Sequence, residues 1–463
     1  MRRILPLLVL VSVNASAGEP NWSQVEEQAL TTLLELVQMD TSQPRGNEIV
    51  AARYLQEKFR KEGIGATIYE AKPGRASIVA RLNGNGRHRP LLLLGHLDVV
   101  TVEAEHWSFD PFAGTVKDGK VLGRGSRDDK EIVAGAFQVL VQLHKLGIPL
   151  NRDVIFLGVA DEESGGDLGI TYLVEHHLPE INAEFAINEG GRGQIDPITG
   201  KYTHFNIGTA EKTPRRARLS FKGRAGHGSV PTKDNPIGVL ARAVARIFDT
   251  PLPMRLNRTT RTFFERLAAT SQGEEAYIYR AILQPNPSMA TQYKLQSINP
   301  SYYSMIRTSV VPTIFKGGYQ RNVIPSEAEV ILDIRALPGE NPASLFDTLK
   351  RITGEPDIEL IPMAVTRPAH PPSPLDTPLY RAFERVLQQR HPRAVILPSM
   401  NTGASDSAQL RAAGIPTYGF GPGVIVGEHT GVHGNDEYLR VDSFHEYLHI
   451  LWQVVLTVVT KEQ

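Results

Sequence analysis

The chain of 463 residues contains no cysteine. Disulfides, thiol catalysis and a lipid-modified N-terminal cysteine are therefore excluded, and any bound metal must be held by histidine, aspartate and glutamate. An excess charge of one sign is missing too, because Lys plus Arg and Asp plus Glu both number 50. That balance, with no basic stripe, zinc-finger spacing or helix-turn-helix pattern, argues against a nucleic-acid partner. Past the N-terminus no run approaches the eighteen or so apolar residues that a membrane span requires. At the N-terminus, Arg2-Arg3 precedes a mainly apolar stretch, Ile4 to Val13, and Ala15-Ser16-Ala17 fits a cleavage site. This is the pattern of an export signal over residues 1–17, too short to remain as a membrane helix. The expectation is a periplasmic or secreted protein with no membrane attachment after cleavage.

What remains is an ordinary globular composition, 41% hydrophobic and 22% charged, in a chain long enough for two domains. Ser23 and Glu26 have the spacing of a capping box opening a helix through Val37. A second amphipathic helix is expected after Gly46-Asn47, then strands at Ala66–Glu70 and Ser77–Leu82. The four leucines Leu91 to Leu94 read as a strand buried on both faces. A helix over Glu131–Leu146 leads to two more apolar strands, Val154–Ala160 and Phe185–Asn188. Helices alternating with buried strands imply an α/β layered domain with parallel pairing. From Thr213 the pattern changes to strand, helix, strand, strand, helix, strand, ending near Pro362, which is a ferredoxin-like order. Residues 251–307 interrupt it as an insertion, helical over Arg261–Ala268. The expected organisation is a catalytic domain in two parts, 18–212 and 367–463, with a lid over 213–366 and a proline-rich hinge from Arg367.

Acids and histidines collect where strands end. His96 and Asp98 follow the leucine strand, Asp128-Asp129 sits in a glycine-punctuated loop before a helix, and Asp161-Glu162-Glu163 follows the second apolar strand. Glu189 follows the third strand, and His429 and His433 share a loop near the C-terminus. In an open α/β sheet such edges converge in space, whatever their separation in sequence. Three adjacent acids repel one another and are poor choices for stability alone, a conflict that a cation removes. Three carboxylates with two neutral imidazoles carry three negative charges, which suits a pair of divalent cations. Oxygen and nitrogen donors without sulfur suit zinc, with cobalt or manganese as substitutes.

These motifs, in this order, resemble the dinuclear-zinc exopeptidases and amidohydrolases that include carboxypeptidase G, aminoacylase, acetylornithine deacetylase and succinyl-diaminopimelate desuccinylase. Trp107 to Gly114, Asn188-Glu189-Gly190-Gly191 and the lengthened lid look most like the carboxypeptidase S branch. The resemblance implies a zinc-exopeptidase-like α/β catalytic domain with an inserted ferredoxin-like α+β lid that can also form a homodimer. It implies two zinc ions held by His96, Asp128, Glu163, Glu189 and His433, with Asp128 bridging and Asp98 orienting His96. It also implies a cis peptide bond after Asp128, Glu162 as general base and His227 as the group polarising the scissile carbonyl. Asn322, Arg335 and the loop at Gly403 match positions that meet the substrate's carboxylate or carbonyl. His429 is left as a supporting candidate. Glu131 departs from the pattern, standing where relatives usually have glycine.

The implied activity is hydrolysis of an amide bond beside a free carboxylate, on a small peptide or an N-acyl amino acid. Two other classes stay open at this point. One is a catalytically silent peptide-binding module; the other is a single-metal esterase or lactonase in which Glu163 and His433 are structural.

Overall fold

The computed structural model describes residues 19–460, so the expected export signal over 1–17 lies outside the described residues. Its main sheet has eight strands. In spatial order they are Ala66–Lys72, Arg75–Leu82, Val154–Val159, Leu91–His96, Phe185–Ile195, Thr417–Ile425, Tyr202–Glu211 and Val395–Asn401. Leu91–His96 runs parallel to Val154–Val159 and to Phe185–Ile195, which is in turn parallel to Thr417–Ile425. The first two strands form an antiparallel edge. Along the leucine strand, Leu91 and Leu93 enter one core cluster while Leu92 and Leu94 enter another. Alternation into two cores is what a run without polar residues requires of a strand.

The helix Lys130–Lys145 covers one face, packing Val133, Phe137 and Leu140 into the cluster that holds Leu91 and Leu93. A methyl group on Gly95 would lie 2.9 Å from Val133 and 3.0 Å from Asp129, so the helix start can approach the strand end only over a glycine. Together they set Asp129 against His96, whose backbone N–H donates to the Asp129 carboxylate at 3.0 Å.

The second sheet has four strands in the order Ser309–Gly317, Glu327–Ala336, Thr213–Lys222 and Glu359–Pro362, all antiparallel. The helices Pro236–Asp249 and Pro342–Thr353 pack Val239, Leu240, Leu345 and Leu349 against its buried side chains. This is the ferredoxin-like order that the sequence implied.

Three expectations differ from the structure. The first helix starts at Trp22 with Asn21 as its cap and has no side-chain cap hydrogen bond, so Ser23 lies inside the helix. The strand expected to end at Asn188 continues to Ile195, so Glu189 sits within it. The insertion forms four helices between Arg258 and Met305. Phe263, Phe264, Ile278 and Leu295 from these helices share a core with Ala210, Leu397 and Met400 of the main sheet. Thus the inserted helices thicken the edge of the catalytic sheet and leave the lid core separate.

Candidate active site

Asp128 is the centre of the site. Its Oδ1 lies 3.0 Å from His96 Nε2, and its Oδ2 lies 3.1 Å from His433 Nε2. His433 Nε2 is also 3.2 Å from Glu163 Oε1. Ligand-capable atoms of His96, Asp128 and Glu189 fall within 4.8 Å of one another, as do those of Asp128, Glu163 and His433. One carboxylate thus belongs to both groups. His96, Glu162 and Glu163 form a third group by the same measure.

Each of these side chains is positioned by a strand end or a tight turn. The peptide bond between Asp128 and Asp129 is cis, as the resemblance implied. The backbone N–H groups of Arg127 and Asp128 donate to Glu437 Oε1 at 2.9 and 3.2 Å, while Glu437 Oε2 pairs with Arg124 at 2.5 Å. Asp161 adopts a left-handed conformation, φ 69°, that starts the turn carrying Glu162 and Glu163. Its own carboxylate turns away to Arg75, 2.6 Å distant, so only two of the three consecutive acids face the cluster.

Asp98 does more than the sequence reading gave it. The His96 Nδ1 atom meets the backbone carbonyl of Asp98 at 2.9 Å, and the carboxylate only at 3.5 Å. That carboxylate instead accepts the backbone N–H of Glu162 at 3.0 Å, the N–H of Glu163 at 3.1 Å and the amide of Gln43 at 2.8 Å. Asp98 therefore orients the ring chiefly through its main chain, while its side chain anchors the turn that presents both glutamates.

The electrostatics are those of acids forced together. Burial first, then the neighbouring Asp128 charge, pushes the Glu189 carboxyl up to about 8. Burial likewise raises Glu162 well above the usual carboxylate range, with Arg367 opposing it. Hydrogen bonds to Asp128 and Glu163 lift His433 to about 10. Against the cost of burial, hydrogen bonds to His433 and His96 hold Asp128 below the usual range. Cations placed between these groups would replace mutual repulsion by attraction and let both imidazoles act as neutral donors. The donor set of carboxylates and imidazoles fits two divalent ions of the zinc type.

The residues expected to meet substrate lie elsewhere. His227 is exposed and pairs with Val323 in a two-residue ladder beside the lid sheet, and its Nδ1 accepts hydrogen bonds from Ser229. Asn322 is exposed, with its carbonyl taking the Gly228 N–H at 2.7 Å. Arg335 turns its guanidinium onto Asp333 of its own strand at 3.0 Å. Gly403 occupies an open loop where an added methyl would meet nothing within 4 Å. None of these four belongs to the three clusters, and neither does the exposed His429. A cavity of about 390 Å³ opens beside the cluster, walled by Gly190, Gly191 and Arg192 and by Phe263 and Tyr302 of the inserted helices. Neither this cavity nor a larger one of about 470 Å³ by Tyr202 and Arg390 is lined by a cluster residue, whereas a small one of about 80 Å³ is lined by Asp128 and Glu189 themselves.

Sequence reasoning missed Arg367. Its guanidinium reaches Glu162 Oε1 at 2.5 Å and Asp406 at 2.7 Å, although it had been read only as the start of a hinge. The supporting roles of Glu437 and Gln43 were also missed. Glu437 closes the motif that contains His433, and its position there is the one signal that could have drawn attention to it.

Comparison with known proteins agrees with this architecture. A "Probable carboxypeptidase S-like 2" of Dictyostelium discoideum is 26% identical over 79% of this chain and 71% of its own. The human "N-fatty-acyl-amino acid synthase/hydrolase" is 29% identical over 81% of this chain and 75% of its own. Among solved structures, an M20 family metallo-carboxypeptidase from Sulfolobus solfataricus superposes with a TM-score of 0.69 at 19% identity, covering 93% of this chain and 99% of that one. A dinuclear metal-binding peptidase of Bacillus subtilis has a TM-score of 0.60 at 14% identity, covering 95% and 100%. The sequence profile described as Peptidase family M20/M25/M40 matches residues 92–457, nearly the whole span that carries the two sheets and the cluster, and the chain belongs to that family of hydrolases.

Proposed function

We propose that the protein cleaves an amide bond next to a free carboxylate, as a carboxypeptidase or N-acyl-amino-acid amidohydrolase, with two metal ions, zinc in our reading. The observation that carries this is the single carboxylate of Asp128 facing two imidazoles, one through each oxygen. His96, Asp128 and Glu189 would hold one ion, and Asp128, Glu163 and His433 the other. When bound, such ions lower the pKa of water and polarise a carbonyl.

The remaining work falls to this chain's own side chains. Glu162, fixed by Asp98 through its backbone, would take the proton of the attacking water and return it to the leaving amine. His227 would donate to the developing oxyanion. Asn322, Arg335 and the Gly403 loop would grip the carboxylate, which confines the enzyme to C-terminal residues or N-acyl amino acids. The cavity beside Glu189 would take the rest of the substrate.

The placement of His227 on the lid favours a homodimer in which it serves a partner's site. The lid's edge strand supports this, since it leaves Val311, Ile314 and Phe315 exposed, with Tyr319 beyond its end. An unpaired strand edge carrying apolar side chains is a ready surface for a second copy. Export remains our reading of residues 1–17.

The test is to strip the protein of metal and titrate zinc back against a panel of N-acyl amino acids and dipeptides. Activity should rise to two equivalents and vanish when the substrate carboxylate is amidated. Saturation at one equivalent would instead favour the single-metal reading. Two bound ions with no hydrolysis of any amide would favour a binding module.

A further inference from the structure

Arg367 is 4% exposed, and four hydrogen bonds occupy its guanidinium. Nη2 donates to Glu162 twice, to the backbone carbonyl at 2.8 Å and to Oε1 at 2.5 Å. Nη1 donates to Asp406 Oδ1 at 2.7 Å and to Gln409 Oε1 at 3.1 Å. Among the described residues none hydrogen-bonds to Glu162 Oε2, which leaves one oxygen available for proton transfer while Oε1 is pinned. A glutamate side chain has three rotatable torsions. Grip on both its main chain and its carboxylate removes most of that freedom, and the planar guanidinium fork is suited to doing so.

The same residue is tied to the lid. It follows the last lid strand, Glu359–Pro362, by five positions, and its backbone carbonyl accepts from Arg215 Nη1 at 3.1 Å. Arg215 belongs to the first lid strand, Thr213–Lys222, the other segment crossing between the two sheets. The link between these crossings is reinforced at Met363, whose N–H bonds to the Arg216 carbonyl at 2.9 Å. On the opposite side, Thr366 packs against the turn that carries Glu162, so closely that a methyl on Gly165 would lie 3.1 Å from its Cβ.

We propose that Arg367 is a positioning residue that sets the Glu162 carboxylate for proton transfer and couples that setting to movement of the lid. The proposal rests on the reading of Glu162 as general base. Through the Arg367 carbonyl, a rotation at the two crossings shifts the guanidinium, and with it the one carboxylate whose placement the chemistry depends upon. Asp406, at the N-cap of the helix Ser407–Ala412, and Gln409 within it supply the other end of the clamp.

The test uses Arg367→Lys and Arg367→Ala in the full-length, zinc-loaded protein. Misplacing a reacting group by an ångström costs about 10²-fold in rate, so Arg367→Lys should lower kcat by about that factor. KM should change by less than about threefold, with two zinc ions per chain retained, because the ligands and the carboxylate grip are untouched. Guanidinium ion added at millimolar concentration should restore part of the lost kcat to Arg367→Ala, and none to the wild type. In a Glu162→Gln background, Arg367→Lys should lower kcat no further. A kcat for Arg367→Lys within about threefold of wild type would overturn the proposal, as would an additive loss in the Glu162→Gln background. Should Arg367→Ala unfold or lose zinc, Arg367→Lys and the double variant still decide the matter. Near-wild-type activity of Glu162→Gln alone would remove the reading of the base itself, a different outcome from either.

Discussion

The cluster of carboxylates and imidazoles and the lid are built in opposite ways. Around Asp128, nearly every side chain is held by another: Glu437 by Arg124, Asp98 by two backbone N–H groups and Gln43, and Glu162 by Arg367. Asp98, Arg124, Glu162, Arg367 and Glu437 are all buried. On the lid, His227 and Asn322 are exposed, and Arg335 is engaged with its neighbour Asp333. On the function proposed above, the cluster is the preorganised half of the site, and the lid residues would be brought to it by lid closure, by a partner copy or by both. Chemistry would then depend on the buried network, and substrate capture on how the lid sheet meets it.

The largest effect should come from the buried half. Glu162→Gln keeps the shape and the Asp98 anchor but removes the proposed proton acceptor. General acid–base groups contribute roughly 10²–10⁴-fold, so kcat should fall by about that factor with two zinc ions still bound. Steady-state kinetics alongside metal analysis checks both parts. A variant losing activity and metal together would make Glu162 a ligand, and the contrast between base and ligands would collapse.

Changes in the lid should register differently. Arg335→Ala and Asn322→Ala should raise KM by about 10- to 100-fold on a carboxylate-bearing substrate, with metal content and unfolding temperature unchanged. On a substrate whose carboxylate is amidated, the Arg335→Ala penalty should disappear. Equal penalties on both substrates would mean that Arg335 serves the lid strand through Asp333, and has no part in capture.

His227 tests whether the second half belongs to the same copy. His227→Ala and Glu162→Gln should each be nearly inactive as homodimers. Mixed by unfolding and refolding together, they should recover up to about a quarter of wild-type activity, because half of the chains pair as heterodimers and each of those has one site with both groups intact. No recovery, in a preparation shown to be dimeric, would place His227 within its own chain's site.

How far this arrangement was legible in the sequence follows the same division. His96, Glu162 and Glu163 could be read because they end apolar strands, and strand ends converge at one edge of the sheet. Arg367 could not be read, since its partner Glu162 lies 205 positions away and no local pattern links them. The strand Thr417–Ile425 was missed because Gly419, Gly421 and Gly423 disguise it. There a side chain on Gly419 would meet the Glu189 carbonyl at 2.4 Å, so the glycines record close packing of backbone on backbone. The strands Tyr202–Glu211 and Val395–Asn401 were also missed, polar as they are at Asn206, Thr209, Ser399 and Asn401. The inserted helices were placed on the lid because they lie between lid strands in sequence. Their aromatic face found a larger apolar partner at the edge of the main sheet, and burial there decided the matter.

The smallest expected effect concerns stability and pH, and it repeats the contrast away from the site. On the catalytic side, Glu446 of the C-terminal helix Val441–Thr460 is clipped by Arg390 at 2.7 Å and His391 at 2.8 Å. Despite partial burial, these hydrogen bonds and charges hold its carboxyl down at about 2, from an ordinary value of 4.5. A carboxylate with a depressed folded-state value stabilises the protein above its unfolded-state value, and that contribution is lost as pH falls from about 4.5 toward 2. Glu446→Gln should therefore cost roughly 2–3 kcal/mol at pH 7 and progressively less below pH 4, read by denaturant unfolding in zinc-free buffer. On the lid, Glu329 faces Arg218 and Lys316 at 3.5 Å across an exposed sheet surface. Such pairs contribute about 0–1 kcal/mol, so Glu329→Gln should shift stability by no more than that at any pH. A lid variant as costly as Glu446→Gln would mean that the lid is stabilised by fixed ionic contacts after all, and that its freedom to move has been overstated.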